Sequence, residues 1–307
     1  MTADVDGLSV VPTRLWPQAV SNAIELPVLA KRCHADVVVS HNYAPLSGRN
    51  VVFVHDLMFG DHPEWFSRSE RAYFGLMAPS LRRASRVVTS SEAEVARIER
   101  IAPWVKKVRA TGLAVGTSLT HATAEEPQNC PHSFALVVGR LNVRKNLVSA
   151  MTAARIAHRI TPDNPLVVVG DQLHSGVGGV PQDVQDLVAD GTVRFLGRVT
   201  DGNLRWLYEH ASVTLYLSLD EGFGLPPLEA THFGCPVIVS DIPVLRETVG
   251  KVARFVDPHD VRAIAREIDE VSGVPRRRQG APNGVNAAYA WDRVAAVIRD
   301  VAAEIPS

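Results

Sequence analysis

Short β-branched runs alternate along this chain with stretches whose apolar positions recur every three to four residues, the pattern of a parallel sheet wrapped by helices. In the first third, residues 36–40, 51–54 and 86–89 read as buried strands, with a weaker one at 107–111. A helix is expected over 19–33. Another is expected from Ser67, where Ser67 and Glu70 have capping-box spacing and Tyr73, Phe74, Met77 and Leu81 form an apolar stripe. Ser91 and Glu94 repeat the capping signal ahead of Val95 and Ile98. Residues 119–133 are polar, contain Pro127 and Pro131, and read as a linker.

A second series follows. Strands are expected at 134–138, 166–169, 193–196, 213–217, 237–239 and 253–256. Helices are expected near 146–159, 181–189, 201–210, 226–233, 243–249 and 260–271, with Gly170, Gly197 and Gly250 at turns. Six strands make a complete doubly wound domain. Residues 273–287 read as loop, and 289–305 as an amphipathic helix with Trp291, Val294, Val297, Ile298 and Val301 on its apolar face. The expected fold class is α/β with two doubly wound Rossmann-type domains. The first covers 1–125, the second 126–285, and a helix within 286–307 packs back toward the first. The first domain is expected to be incomplete by roughly two βα units. Residues 1–35 read as loop and helix rather than as an opening strand and glycine-rich turn.

Composition narrows the chemistry. The net charge of −1 leaves no electrostatic footprint for nucleic acid. Basic clusters at Arg82, Arg83, Arg86 and at Arg276, Arg277, Arg278 read either as solvated surface or as a peripheral membrane contact. Cys33, Cys130 and Cys235 stand apart, which points to neither a disulfide framework nor a zinc site. No apolar run approaches the ~18 residues of a spanning helix and no signal peptide opens the chain, so the cytoplasm is the expected compartment.

The densest signal is Glu221-Gly222-Phe223-Gly224-Leu225-Pro226-Pro227-Leu228-Glu229, which follows an apolar strand and opens a helix. Glycine admits close backbone approach, proline suits the first helical turn, and a helix N-terminus favours anions, phosphates above all. Glu229 reads as lying in that helix's first turn, where the helix dipole favours a carboxylate. Arg140 and Lys145, in Gly139-Arg140-Leu141-Asn142-Val143-Arg144-Lys145-Asn146 after strand 134–138, read either as surface cations or as the neutralising groups of a diphosphate. In the first domain His41-Asn42-Tyr43 and His55-Asp56 follow strands, at a rim where histidines are structural or ligand-facing. Asp4 and Asp6 have the spacing of a metal pair but lie near the terminus. Gly176-Val177-Gly178-Gly179 lacks the Lys-Ser or Lys-Thr of a P-loop.

These residues resemble the retaining GT-B glycosyltransferases of family four, the glycosyl transferases group 1. The resemblance rests on the two motifs above, on Val193-Arg194-Phe195-Leu196-Gly197, on Leu204, Leu207-Tyr208 and Ala211, on Gly234-Cys235-Pro236-Val237, and on Ser240-Asp241-Ile242-Pro243 with Arg246-Glu247 and Gly250. Residues 51–100, with Val54-His55-Asp56-Leu57, are similar to the family's acceptor-side domain. The resemblance implies two domains facing a cleft and transfer of a hexose, with retained configuration and no metal, from a nucleotide sugar to a hydroxyl. Arg140 and Lys145 would hold the diphosphate, with Gly139 beside them. Glu221 and the backbone of Gly222, Phe223, Gly224 and Leu225 would contact sugar and phosphate. Glu229 would take the ribose hydroxyls, Arg198 and Val199 would lie near the base, and His55 would face the sugar across the cleft.

The stretches around His41 and His55 look like those of bacterial mannosyl- and rhamnosyltransferases that build surface polysaccharides. GDP-mannose is therefore the first expectation for the donor, ahead of UDP- and dTDP-sugars, and a glycan or lipid-linked saccharide for the acceptor. No cofactor is expected. The short first domain and the poor match of Thr111-Gly112-Leu113-Ala114-Val115-Gly116 to the family's Asn-Gly turn leave room for a non-catalytic, nucleotide-sugar-binding subunit, or for a partner chain that completes the first domain. A glycoside hydrolase using Glu221 and Glu229 is the third reading, disfavoured because such enzymes set two carboxyls across the scissile bond.

Overall fold

The computed structural model describes residues 3–5, 8–139, 142–170, 185–273 and 289–306. Arg140, the glycine-rich loop 176–179 and Arg276 to Arg278 lie outside them. The chain divides into two compact units: Met1–Asp61, Arg68–Thr111 and Ala295–Ser307 form one, His62–Ser67 and Gly112–Val294 the other.

In the first unit, β1 (Ala3–Val5) and β2 (Leu8–Val10) make an antiparallel hairpin where loop was expected. A parallel sheet follows in the order β3 (Val38–His41), β4 (Asn50–Val54), β5 (Arg86–Thr89), β6 (Arg109–Ala110). All of β4 is buried, as a strand covered on both faces requires. Its core joins Val52, Val54 and Leu57 to Met77, Leu81 and Ile98. The helix Glu92–Ile101 opens as expected, with Ser91 Oγ accepting the Glu94 N–H at 3.1 Å. The buried Glu94 carboxylate accepts the Leu57 N–H at 2.7 Å, which ties the helix to the turn after β4.

Of the other two helices expected here, one is continuous with a π turn inside it and the other is broken, and proline and glycine account for the irregularities. The 19–33 stretch runs as Gln18–Val20, a π-turn over Ser21–Glu25, then Leu26–Arg32. Pro27 has no N–H for the carbonyl of Ala23, and the Leu46 N–H takes that carbonyl at 3.1 Å. The helix from Ser67 becomes Arg68–Phe74, Met77–Ser80 and a 3₁₀ turn Leu81–Arg83, parted at Gly75 and Leu76.

The second unit holds a six-stranded parallel sheet in the order β12-β11-β10-β7-β8-β9. The strands are β7 (Ala135–Val138), β8 (Leu166–Val169), β9 (Val193–Gly197), β10 (Val213–Tyr216), β11 (Val237–Ser240) and β12 (Ala253–Val256). The strand order reverses between β7 and β10, so a crevice is expected at their carboxyl ends. Leu136 and Val167 are fully buried within the sheet, and Met151, Leu215, Ile264 and Ile268 belong to one core between sheet and helices.

The expected linker is not free chain. Thr117–His121 is helical, and Arg205 donates to the carbonyls of Thr120 (3.1 Å) and Ala122 (2.7 Å). The Glu125 N–H donates to the Gly202 carbonyl at 3.1 Å. The division therefore falls at Thr111/Gly112 rather than at 125. The last helix, Trp291–Ala303, begins with Trp291 Nε1 donating to the Val115 carbonyl at 3.0 Å. From Ala295, inside this helix, the chain groups with the first unit, where Arg49 reaches the Ile305 carbonyl (2.8 Å) and Arg86 that of Glu304 (2.9 Å). No described helix is long and apolar enough to cross a membrane.

A Cβ on Gly202 would stand 2.6 Å from the Thr123 carbonyl oxygen. Gly202→Ala is expected to cost about 1–3 kcal/mol by overpacking, read as a lower urea midpoint with unchanged slope; an unmoved midpoint would refute the tight approach.

Candidate active site

The loops after β7 and β10 meet at the point where strand order reverses. The Leu219 N–H donates to the Arg144 carbonyl at 2.8 Å, holding one loop against the other. In the first loop the Asn142 side chain caps a 3₁₀ turn, Val143–Lys145, by accepting the Lys145 N–H at 2.9 Å. Asn146, in the left-handed region at φ 50°, closes the turn, and its amide donates to the Pro258 carbonyl at 2.8 Å. Two adjacent cations are thereby fixed on one rigid turn.

Both point at Glu221. Lys145 Nζ donates to Oε1 at 2.7 Å and Arg144 Nη1 to Oε2 at 2.7 Å. The Tyr216 hydroxyl, at the end of β10, also donates to Oε1 at 2.8 Å, and Lys145 Nζ lies 4.5 Å from that ring's centroid. The Glu221 side chain is 8% exposed and that of Lys145 15%. Burial alone would raise the Glu221 pKa, but the Lys145 and Arg144 charges outweigh it and hold the carboxyl below its ordinary value. Burial likewise pulls the Lys145 ammonium down, against the attraction of Glu221. Tyr216 is pushed well up by burial and by the neighbouring carboxylate, so it stays a neutral donor. Two cations against one anion leave the three charged side chains with one net positive charge, beside a small pocket lined by Val137, Gly139, Leu215 and Leu217. A Cβ on Gly139 would touch the Lys145 stem at 3.4 Å, so glycine leaves that stem its path along the strand end.

The helix Leu225–His232 starts from Gly224, whose φ of 89° is in the left-handed region and whose added Cβ would meet Leu245 Cδ2 at 2.5 Å. Pro226 and Pro227 occupy positions whose N–H groups have no partner within a helix. Glu229 stands one turn further in than expected, and the first turn contains no acidic residue. The dipole end therefore keeps its positive character instead of being offset by its own carboxylate. Glu229 accepts the Tyr208 hydroxyl at 2.9 Å, and burial raises its pKa. Phe223 is buried, edge-on to Tyr289 with ring centroids 5.3 Å apart.

A family model for glycosyl transferases group 1 matches residues 123–280, over half of the chain. The chain belongs to that family. It is 32% identical over 235 residues to O-antigen chain mannosyltransferase B of Escherichia coli, an alignment covering 72% of this chain and 60% of the relative. To O-antigen chain mannosyltransferase RfbU of Salmonella typhimurium it is 28% identical, with 78% of this chain and 65% of the relative covered. The chain thus spans less than two thirds of the length of these relatives. Among solved structures, the sucrose-phosphate synthase from Thermosynechococcus elongatus superposes with a TM-score of 0.67 at 23% identity, over 90% of this chain and 75% of that one. The fold is that of the GT-B glycosyltransferases.

Not all residues expected to matter in this glycosyl transferases group 1 chain meet at one place. Lys145, Glu221, Gly139 and the Gly222–Leu225 backbone flank the β7/β10 crevice. Arg198 and Val199 follow β9, the edge strand on that side of the sheet, two strands away from β7. His55 follows β4 in the first unit; its Nε2 lies 3.0 Å from His41 Nδ1, and the Asn42 side chain accepts its N–H at 3.0 Å. Burial, then the neighbouring His41, lowers its pKa. Arg144 and Tyr208 stand in motifs that carried the resemblance but were given no role, and Tyr216 was not singled out. Arg144 adjoins the anticipated lysine, and a tyrosine closing an apolar strand was the available signal for Tyr216.

Glu221→Gln leaves two partly buried cations without their counter-charge and is expected to destabilise the fold by about 3 kcal/mol at neutral pH, with Lys145→Met in the same chain restoring part of it. The folded Glu221 pKa lies below its unfolded value near 4.3, so its contribution is present above that pH and is lost as pH falls through the folded value. Urea titrations should show the gap between parent and variant closing below about pH 4; a gap independent of pH would refute the ion pair's role.

Proposed function

We propose that the chain is a retaining hexosyltransferase that takes mannose from GDP-mannose to a hydroxyl of a glycan or lipid-linked saccharide. The observation that carries this reading is the excess positive charge of Lys145 and Arg144 around Glu221, beside a helix start with no acid of its own. Fixed cations and helix-end N–H groups suit a diphosphate. As the sugar–oxygen bond breaks, negative charge grows on the departing phosphate, so these groups stabilise the transition state more than the bound donor. Lys145 is the group assigned to that oxygen, with Arg140 five residues earlier in the same loop sequence.

Glu221 has two roles in this reading. It holds the ammonium and guanidinium in place before the donor arrives, and its oxygens accept hydroxyls of the transferred hexose. Glu229 accepts the ribose hydroxyls. The acceptor hydroxyl attacks on the face from which the diphosphate leaves, and its proton passes to the leaving oxygen, which keeps the anomeric configuration. The reading assigns no metal, because fixed side-chain and backbone charge fills that role. Mannose rests on the two O-antigen mannosyltransferase relatives.

Lys145→Ala should lower turnover by two to three orders of magnitude, about 2.7–4 kcal/mol in barrier, in a variant whose melting curve shows it folded; normal turnover would remove the mechanism. In a thermal-shift panel GDP should raise the melting temperature more than UDP or dTDP, since bound ligand stabilises the fold by mass action. Nucleotide binding without turnover on any acceptor would instead identify a binding subunit.

A further inference from the structure

The net charge of −1 conceals an asymmetry. The first unit holds fifteen Lys and Arg against twelve Asp and Glu, so the second carries the acidic excess. Within the first unit the stretch 82–109 alone contains eight Lys and Arg against three Glu. The structure separates these cations into two sets. Arg86 and Arg109 are held by Glu304, and Arg97 and Arg100 by Asp61 at 2.8 and 2.7 Å. Arg82, Arg83, Lys106 and Lys107 are exposed, with no ion pair to an acid among the described residues.

The two short stretches that carry these four meet at one contact. The Arg82 guanidinium lies 3.9 Å from the centroid of the Trp104 ring, which joins the 3₁₀ turn Leu81–Arg83 to the loop that carries Lys106 and Lys107. From the cap Leu76 through the turns Met77–Ser80 and Leu81–Arg83, Met77, Ala78 and Leu81 are buried, while Leu76, Pro79, Arg82 and Arg83 are exposed at spacings of three and four residues. Leu76 is 56% exposed and Trp104 36%. Aliphatic, indole and cationic groups are thus presented together to solvent.

We propose that this face, built from Leu76, Arg82, Arg83, Trp104, Lys106 and Lys107, is a docking surface for an anionic lipid bilayer. Lysine and arginine near such a membrane each tighten binding by about fivefold, so four give several hundredfold before any apolar contribution. Tryptophan places an apolar ring and a polar N–H at the headgroup level, and Leu76 offers a side chain that can enter the acyl boundary. A nucleic-acid site would use the cations but has no use for an exposed leucine beside them. The proposal stands on the first unit alone and does not depend on the donor reading.

The test is co-sedimentation of the full chain with sucrose-loaded vesicles of phosphatidylcholine, alone or mixed equally with phosphatidylglycerol. Binding is expected to the mixed vesicles only, and to weaken with salt. Arg82→Glu with Lys106→Glu should weaken it by about 25-fold or more, and Leu76→Ser should weaken it without changing the salt dependence. Arg262→Glu with Arg266→Glu, on the second unit, should leave it unchanged; melting curves establish that each variant is folded. No binding to mixed vesicles, equal loss in the Arg262 and Arg266 variant, or tighter binding to duplex DNA than to vesicles at the same ionic strength would each overturn the proposal.

Discussion

A carboxylate that is almost wholly withdrawn from water must find compensating charge, and Glu221 finds it twice over. Its two oxygens are occupied by Lys145, Arg144 and the Tyr216 hydroxyl, which come from two loops and the end of a strand. Burying an unpaired charge of this kind costs several kcal/mol. The folded unit therefore has to bring the loop after β7 against the loop after β10, and the Leu219 to Arg144 backbone bond records the same closure. Two cations converge on one carboxylate at the crevice before any ligand arrives. Structure and site thus depend on the same three contacts.

The first unit has a quieter counterpart. His41 and His55 end neighbouring strands, paired in register so that His41 lies opposite Phe53, two residues before His55. Their ring nitrogens are 3.0 Å apart and the rings are stacked at 13°. Between two neutral imidazoles one nitrogen must donate and the other accept, so the tautomer of His55 is coupled to that of His41.

How much of this could be read from the chain follows the strength of the local signal. The buried strands of the second unit, such as Leu166–Val169, are runs with no competing reading, and the helix Asp201–His210 matches its expected bounds. The end of the helix Thr117–His121 fell in the expected linker because its support comes from Arg205, 85 residues beyond Thr120, and not from its own sequence. The break at Gly75 and the π turn ahead of Pro27 were written in the sequence, yet at Gly75 the apolar stripe on either side outweighed the signal. Within the site, Lys145 and Glu221 stood out because each follows a strand in a motif of distinctive composition. Tyr216 did not, since a tyrosine in an apolar run is equally at home in a core. Glu229 was placed a turn too early because the helix was expected to begin at 226, whereas Leu225 already begins it and puts Glu229 beyond the first turn.

The path of the chain has a practical consequence. The first unit is assembled from three separate lengths of polypeptide, the last being the tail Ala295–Ser307, whose Glu304 holds Arg86 and Arg109. Splitting the gene once, between the two units, would give one fragment missing its final piece and another with a stranded tail. A chimera that exchanges the first unit for that of a relative has to graft both ends of the protein together, or Arg86 and Arg109 would face a stranger's carboxyl terminus.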